Sequence, residues 1–289
     1  MPELPEVETV RLGLAKHAIG QVIKSVKVLH PRATNPKSIA PLTSLKGLKI
    51  TGLNRRGKFL WFELNNDEVL VAHLGMSGQF QFKSVGAGPS PHTRAQLNLT
   101  RQELHFIDQR TFGWLSVENL VDGIPSSAVH IAPDPFDRSF DIKSTIEKFL
   151  SKKVEIKKAL LNQEIMSGVG NIYADEALWL AQINPLTSCE KLDEKDVKKL
   201  ILSATKIMKK SLKAGGTSFD ELYVNVNGES GYYERSLAVY GQEGEPCRRC
   251  GKLIQRIAFA NRSSHFCPKC QPIPRGKRLE IKGRTRTFR

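Results

Sequence analysis

The chain has few cysteines and no long hydrophobic run, and these two absences exclude several classes of protein. Five cysteines in 289 residues are too few for a disulfide scaffold. No apolar stretch is long enough to span a bilayer, so we expect no membrane partner. The N-terminus is acidic, with Glu3, Glu6 and Glu8, whereas a secretory signal would carry basic residues there before an apolar segment. These absences favour a soluble protein of a reducing compartment.

Acidic residues are scarce relative to basic ones. Lysine and arginine number 44 and aspartate and glutamate 29, which leaves a formal net charge of +15. Such an excess favours a polyanionic partner, with nucleic acid as the default and a merely basic protein as the alternative. The hydrophobic fraction of 40% is ordinary for a globular protein, and the length allows two domains.

Four of the five cysteines form two close pairs, Cys247 with Cys250 and Cys267 with Cys270. Each pair can place two thiolates on one tight turn, and the spacing between the pairs is that of zinc ribbons. Four protein ligands leave no position for water. The sequence therefore predicts one structural zinc per chain and no metal catalysis. Cys189 is interpreted as an ordinary thiol.

The residues between the cysteine pairs alternate over Leu253–Phe259, which predicts a β-hairpin. Arg262 falls near its tip, where it could reach a phosphate, although a lone hairpin arginine is more often simply solvated. His265 is an alternative metal ligand that four cysteines make unnecessary.

The order of patterns along the chain predicts an α+β protein, with a β-rich half followed by a helical half. An amphipathic helix is expected over residues 5–19, then short alternating runs to about residue 120 that indicate a sandwich or flattened barrel. Prolines at 133 and 135 indicate a linker. Helical spacing follows in four segments, at Phe140–Leu150, Glu155–Leu161, Asn171–Leu180 and Asp193–Leu212.

We expect the domain boundaries to follow these patterns. The expected segments are a β-rich N-terminal domain at 1–132, a linker at 133–138, a helical domain at 139–238 with a long loop at about 217–235, a zinc finger at 239–271, and a basic, disordered tail at 272–289.

The first residues have catalytic potential of their own. If Met1 is removed, Pro2 carries a free secondary amine, and an α-amine with a pKa of about 7.7–8.0 is partly unprotonated at neutral pH. Its attack on an aldehyde-level carbon would give an iminium ion, which is an electron sink for elimination. Glu3 would supply a proton, and Pro5 would begin a rigid helix. Taken alone, a proline at position 2 usually has no function.

A second stretch, Ser167–Tyr173, contains two glycines between helical segments. Glycines leave the amide N–H groups at the start of the next helix unobstructed, and such a helix start binds phosphate. Asn171 could cap that helix or donate to the phosphate itself. A plain helical hairpin is the alternative.

Several motifs together resemble the formamidopyrimidine-DNA glycosylases, in the right order from Pro2 to about Cys270. They are the stretches Pro2–Arg11, Arg55–Phe59, His73–Gly78, Gly168–Tyr173 and Val239 through the four cysteines. The resemblance implies a bifunctional DNA glycosylase and AP lyase that removes 8-oxoguanine and formamidopyrimidines. It also implies a two-lobed fold with an N-terminal β-sandwich flanked by helices, a helix–two-turns–helix domain and a β-hairpin zinc finger.

The resemblance further implies that damaged double-stranded DNA lies between the lobes, with no nucleotide cofactor. One cleft and one finger per chain suit a monomer, and the expected location is the bacterial cytoplasm at the nucleoid. The loop at 217–235 matches the family's lesion-capping region.

Catalytic roles carry over to matching positions. Pro2 would attack C1′ of the damaged nucleoside, and Glu3 would protonate the sugar ring oxygen. Lys58 would donate a proton in β-elimination, and Arg262 would assist δ-elimination. Lys58 could instead be an ordinary strand residue whose charged end reaches water. Four residues fall where the family contacts DNA: His92, Arg110, Lys152 and Asn171.

A base inside a duplex cannot expose C1′ to an amine, so the nucleotide must be flipped out and its place filled. The residues matching the family's filling set are Met76, Arg110 and Phe112. Read singly, they would be a core methionine, a surface arginine and a core phenylalanine.

Two features depart from the family pattern. The family often has Asp-Pro-Arg where this chain has Asp108-Gln109-Arg110, and loss of the proline could soften that loop. The chain also continues beyond its last cysteine with residues 271–289, which are rich in lysine and arginine. We expect this tail to add nonspecific, salt-sensitive DNA affinity.

Two rival interpretations stay open. An endonuclease VIII-type relative would prefer oxidised pyrimidines, although the Pro2–Glu6 start and the filling set speak against it. The other rival is a zinc protein that binds DNA without chemistry, and mass spectrometry of the N-terminus would help to separate it from the enzyme, because a retained Met1 blocks the amine.

Overall fold

The computed structural model describes residues 2–216, 236–276, 279–281 and 284–286. These residues divide into two compact units. One contains the described residues up to His130 with 211–216, and the other contains Ile131–Lys210 with the described residues from 236 onward. The lesion-capping loop predicted at 217–235 lies outside the described residues, and the predicted domain boundaries stay predictions.

The first unit begins with helix α1 (Leu4–Ala18), one residue earlier than the predicted start at Pro5. A proline fits here because N–H groups of the first turn have no partner within the helix. Gly20 has a φ of +87°, which lets the chain leave the helix abruptly. The helix buries an apolar stripe made of Leu4, Val7, Val10, Leu14 and Ala18.

Two antiparallel sheets follow and form the predicted β-sandwich. One sheet contains β1 (Ile23–Val28), β5 (Gly78–Lys83), β6 (Thr93–Leu99) and β7 (Glu103–Asp108), in the order β1-β6-β7-β5. The other contains β2 (Ile50–Arg56), β3 (Phe59–Leu64), β4 (Glu68–His73), β8 (Trp114–Val121) and β9 (Ile124–Pro125), in the order β2-β3-β4-β8-β9.

The core of this unit contains side chains from both sheets and from α1. Phe62 of β3 and Phe80 of β5 are both fully buried, and their rings meet edge to face with centroids 5.8 Å apart. Residues on the other face of β3 and β4, including Trp61 and Val71, form a second buried cluster. Burial on both faces explains why β3 is a nearly continuous apolar run.

The four predicted helices are present, with ends shifted by no more than two residues, and they belong to the second unit except for the last three residues of the fourth helix. They are α2 (Ile142–Leu150), α3 (Ile156–Leu161), α4 (Asn171–Ala181) and α5 (Glu194–Lys213). Asp141 begins α2, because its Oδ1 accepts the backbone N–H of Lys143 at 2.9 Å. Among the helices that the structure describes, none is long and apolar enough to cross a membrane.

The predicted hairpin consists of β10 (Gln255–Phe259) and β11 (Arg262–Phe266), and Phe259 pairs with Arg262 at its tip. Further along, β12 (Leu279–Ile281) pairs antiparallel with β13 (Arg284–Arg286). The prediction of a disordered tail is therefore wrong for these two segments. A composition rich in lysine and arginine opposes core formation, but it does not prevent the backbone from pairing in a short hairpin.

Candidate functional site

The predicted nucleophile and acid lie at the first turn of α1. Pro2 is buried, and Glu3 is 1% exposed and forms the N-cap. The Glu3 carboxylate accepts the backbone N–H of Glu6, while the Glu6 carboxylate accepts that of Glu3 at 2.9 Å. This reciprocal capping box fixes the backbone next to Pro2. A carboxyl group is thereby held one residue away from the nitrogen that would react.

Gly216 approaches the same turn. Its φ is +89°, and a Cβ added there would lie 3.3 Å from the Cγ and Oε1 atoms of Glu6. A side chain at position 216 would therefore press on the capping box. The chain enters the predicted lesion-capping loop beside the residues proposed for catalysis.

Lys58 lies in the two-residue turn between β2 and β3, after Gly57, whose φ is +55°. Arg55 ties this turn to α1, because its guanidinium donates to Gly57 O at 2.9 Å and to Glu8 Oε2 at 3.0 Å. Burial by itself would raise the pKa of Glu8, but Arg11 and Arg55 lower it, so its carboxylate stays ionised. An ion pair thus joins the helix that follows Pro2 to the turn that contains Lys58.

His73, at the end of β4, received no role of its own from the sequence. Burial, together with the charge of Lys58, lowers its pKa to about 4, so the imidazole is neutral at pH 7. Its Nδ1 accepts the N–H of Gly75 at 3.2 Å, which leaves the proton on Nε2. Its ring stacks on Trp114 with centroids 5.7 Å apart. The one sequence signal was its place at the start of the His73–Gly78 motif.

The three residues predicted to fill the vacated stack lie on two adjacent loops. The Met76 loop (residues 74–77) joins β4 to β5, and the Phe112 loop (residues 109–113) joins β7 to β8. Met76 is 41% exposed and Phe112 is 55% exposed, so the alternative reading of both as core residues is wrong. Arg110 is also exposed, and its Nη1 lies 3.8 Å from Met76 Sδ. Exposed large apolar side chains beside an arginine suit insertion into a base stack.

His92 is exposed at the base of the Phe112 loop, where its carbonyl accepts the N–H of Asp108 at 2.9 Å. In the second unit, Lys152 is exposed just after α2. Asn171 is the first residue of α4, and Gly170, not Asn171, is the N-cap. The Asn171 amide instead donates to Ser263 O at 3.1 Å, so it supports the hairpin rather than capping the helix.

A buried carboxylate on α4 fixes the hairpin that carries Arg262. Asp175 is 0% exposed; its Oδ1 accepts Lys157 Nζ at 2.6 Å and Ser264 Oγ at 2.8 Å, and its Oδ2 accepts the His265 N–H at 2.8 Å. His265 Nδ1 also lies 3.2 Å from Asp175 Oδ2, so it is not part of the cysteine cluster. Arg262 itself is exposed at the tip. Sequence reasoning missed Lys157 and Asp175, because their partners are distant in the chain.

The four paired cysteines converge, with all four Sγ atoms within 4.8 Å of one another. The Sγ atoms of Cys250 and Cys267 are 3.5 Å apart, and those of Cys247 and Cys270 are 4.0 Å apart. Tetrahedral zinc with bonds of about 2.3 Å separates its sulfur ligands by about 3.8 Å, which these distances fit. Cys189 is buried elsewhere, and burial raises the pKa of its thiol to about 11.

Three family models match consecutive parts of the chain. The model of the formamidopyrimidine-DNA glycosylase N-terminal domain matches residues 1–115, and that of the H2TH domain matches 131–221. A model described as a zinc finger found in FPG and IleRS matches 244–273.

Individual relatives are similar over nearly the whole chain. A formamidopyrimidine-DNA glycosylase of Acidothermus cellulolyticus is 50% identical over 281 residues, which covers 95% of this chain and 99% of that protein. A solved complex of a Lactococcus lactis FPG mutant with Fapy-dG-containing DNA has a TM-score of 0.85 and 37% identity, and covers 94% of this chain and 100% of its own. The wild-type L. lactis protein, solved with DNA containing an oxidised pyrimidine, has a TM-score of 0.83, 37% identity and the same coverage, 94% and 100%.

Proposed function

This chain belongs to the formamidopyrimidine-DNA glycosylase family, and from that premise we propose which of its residues perform the chemistry and on which lesions. It is a base-excision-repair DNA glycosylase with AP lyase activity. The proposed substrate is damaged double-stranded DNA containing an oxidised purine, chiefly 8-oxoguanine or a formamidopyrimidine. The Fapy-dG complex of the L. lactis relative and the net charge of +15 support this substrate.

The observation that carries the proposed mechanism is the capped helix start at Pro2 and Glu3. After removal of Met1, the Pro2 amine attacks C1′ of the damaged nucleoside, and the bond from C1′ to the base breaks. Glu3 gives its proton to the ring oxygen, so that the sugar opens and the nitrogen lone pair forms the iminium. The capping box supports these roles, because it holds the Glu3 carboxyl next to Pro2.

The iminium then drives two eliminations. Loss of a proton from C2′ expels the 3′-phosphate, and a further elimination expels the 5′-phosphate, which leaves a one-nucleotide gap with phosphate at both ends. We assign Lys58 as proton donor in the first elimination and as a phosphate contact, and Arg262 as the group that assists the second. The position of Lys58 in a turn tied to α1 by Arg55 and Glu8 supports its assignment.

Further side chains would hold the DNA open. Met76, Arg110 and Phe112 would occupy the space that the flipped nucleotide leaves, with Arg110 donating to the orphaned cytosine. His92 and Lys152 would contact the backbone, and their exposure supports this. Asn171 would contribute mainly by holding Ser263 and the hairpin, since its amide already donates there.

One structural zinc per chain would be held by the four paired cysteines, whose sulfur spacing supports tetrahedral coordination. The zinc would stabilise the hairpin that carries Arg262 and would take no part in the chemistry. The tail from Gln271 would add salt-sensitive affinity for DNA, and its deletion should reduce the salt slope of binding. We further propose a monomer that works in the bacterial cytoplasm at the nucleoid.

Borohydride trapping tests the Pro2 assignment and the lesion class together. Duplexes with 8-oxoguanine opposite cytosine, with thymine glycol, or without damage are incubated with wild type, Pro2→Gly and Pro5→Ala. Pro5→Ala is the matched control, because it changes the same helix start but leaves the amine. We expect an adduct on 8-oxoguanine DNA with wild type and Pro5→Ala, and little or none with Pro2→Gly.

Other outcomes would decide between the rivals. An adduct on thymine glycol alone would indicate an endonuclease VIII-type preference; this arm matters because the L. lactis relative was solved with an oxidised pyrimidine. No adduct on either lesion, with Met1 shown by mass spectrometry to be absent, would refute the Pro2 mechanism. It would leave a DNA-binding zinc protein.

A further inference from the structure

A buried network joins the two loops that carry Met76 and Phe112. Asp108, 0% exposed, accepts three hydrogen bonds: its Oδ1 accepts from Ser77 Oγ at 2.5 Å and Arg110 N at 3.2 Å, and its Oδ2 accepts from Gly113 N at 2.6 Å. Ser77 Oγ also accepts from Arg110 N, at 3.0 Å. One carboxylate and one hydroxyl therefore hold the Phe112 loop at both ends and tie it to the Met76 loop.

The two loops also approach at backbone distance. A Cβ added to Gly75 would lie 2.5 Å from the carbonyl carbon of Phe112 and 2.6 Å from the nitrogen of Gly113. Thr111 has a φ of +55°, in the left-handed region that costs a non-glycine residue about 1 kcal/mol or more. A loop with such a residue needs outside contacts to keep its conformation, and Asp108 supplies them on either side of Thr111.

We infer that Asp108 and Ser77 are positioning residues that hold Met76, Arg110 and Phe112 as one preformed wedge. This inference rests on the proposed function. It also explains how the loop keeps its shape with Gln109 where the family often has proline: the side chain of Asp108 fixes the backbone directly after that position, at Arg110, and at the end of the loop, at Gly113.

A preformed wedge should speed the displacement of the damaged base more than the later chemical steps. Replacing an intrahelical base with three side chains requires all three to enter together, and ordering them beforehand removes that entropic cost from the step. A duplex that already contains an abasic site has no base to displace. Its cleavage depends on the amine and the eliminating groups, whereas Asp108 and Ser77 hold the backbone of the Phe112 loop, at Arg110 and Gly113.

The test compares two substrates under single-turnover conditions: a duplex with 8-oxoguanine opposite cytosine, and the same duplex with an abasic site in its place. The variants are Asp108→Ala, the nearly isosteric Asp108→Asn, and Ser77→Ala. Asp67→Ala is the matched control, because Asp67 is an exposed aspartate in another turn of the same unit. Thermal melting of each variant checks that the chain is folded.

We expect Asp108→Ala to slow excision of 8-oxoguanine by about 10- to 100-fold and abasic-site cleavage by no more than about threefold. Ser77→Ala and Asp108→Asn should show the same selective loss to a smaller degree, and Asp67→Ala should show none. If Asp108→Ala does not fold, these two milder variants decide.

An equal loss on both substrates in folded variants, or unchanged excision, would overturn the inference. Wild type that cleaves neither substrate would instead refute the proposed function.

Discussion

Two fully buried aspartates, Asp108 and Asp175, hold the loops that carry the predicted DNA contacts, and they do so with different partners. Within the part of the chain that the structure describes, Asp108, in the sandwich, accepts from neutral groups, namely a serine hydroxyl and two backbone N–H groups. Asp175, in the helical unit, accepts from the Lys157 ammonium as well as from Ser264 and the backbone of His265. Both aspartates are 0% exposed.

This difference predicts different consequences of losing each carboxylate. Without Asp108, neutral donors lose their acceptor, at a cost of about 1–3 kcal/mol per group that stays buried. Without Asp175, the ammonium of Lys157, which is 0% exposed, loses the carboxylate that pairs with it, and breaking a buried ion pair in this way costs about 3–5 kcal/mol. We expect loss of Asp108 to change the shape of the loop that it holds, and loss of Asp175 to lower the stability of the helical unit.

The largest effect is expected when zinc is removed, which tests whether the Asp175 network can hold the hairpin without the metal. Cys267→Ala should lose zinc and with it the local fold, because structural zinc sites in finger peptides contribute about 10–16 kcal/mol. We expect DNA affinity to fall by about tenfold or more through loss of the Arg262 contact. Cys189→Ala, which removes the buried cysteine outside the cluster, is the control and should keep one zinc. The zinc content and the DNA affinity of both variants are measured. Full DNA affinity in a variant without zinc would contradict the prediction.

The second effect concerns the charged pair itself. Asp175→Ala should lower the free energy of unfolding by about 3–5 kcal/mol, and Asp108→Ala should lower it by about 1–3 kcal/mol for each donor that stays buried without an acceptor. The double variant Lys157→Met, Asp175→Leu should recover much of that loss, because it removes both charges together. Urea denaturation measures the free energy of unfolding of wild type and of these three variants. A double variant as unstable as Asp175→Ala would mean that the uncompensated charge is not the cause.

Low pH is expected to lower the stability of the sandwich because of His73. The pKa of His73 is about 4 in the folded chain, against an ordinary value of 6.5, so the unfolded chain binds the additional proton between these values. Stability should therefore fall as the pH decreases from about 6.5 to about 4, by at most about 3 kcal/mol, and this term should be constant below pH 4. Protonation of Nδ1 would also remove the acceptor for Gly75 N–H at the start of the Met76 loop.

The control for this effect is His73→Gln, which cannot take up the proton. Its unfolding free energy, measured from pH 4 to pH 7, should show a flatter slope than that of wild type. Parallel curves would show that another group is responsible.

The smallest expected effect concerns Gln109. Gln109→Pro should change stability by less than about 1 kcal/mol and excision by less than about twofold, because Asp108 already fixes the loop. In Asp108→Ala, the same proline should restore part of the lost excision. The four combinations form a double-mutant cycle, and strict additivity would argue that the two positions do not act on the same loop.

Much of the fold could be predicted from the sequence, because its signals are local. The apolar run of β3, the helical spacing in α2 and the two cysteine pairs each mark a structure within a few residues. The disorder predicted for the tail is wrong at two segments, because composition does not report the pairing of Leu279–Ile281 with Arg284–Arg286.

The networks that position the site could not be predicted in this way. Asp108 and Ser77 are 31 positions apart, and Asp175 and His265 are 90 positions apart. No periodicity links such residues, and a buried aspartate cannot be told from a surface one by its neighbours in the chain. Asn171 illustrates the same limit, since its partner, Ser263, lies 92 positions away.

The central claim, that the Pro2 amine is the nucleophile, is tested most directly by locating the covalent bond. The borohydride-reduced adduct with 8-oxoguanine DNA is digested with trypsin and nuclease, and the modified peptide is sequenced by tandem mass spectrometry. We predict a deoxyribose-derived mass on the nitrogen of Pro2, in the peptide that ends at Arg11, with Met1 absent. A modification on the peptide containing Lys58, or an intact Met1 on the adduct, would contradict the account.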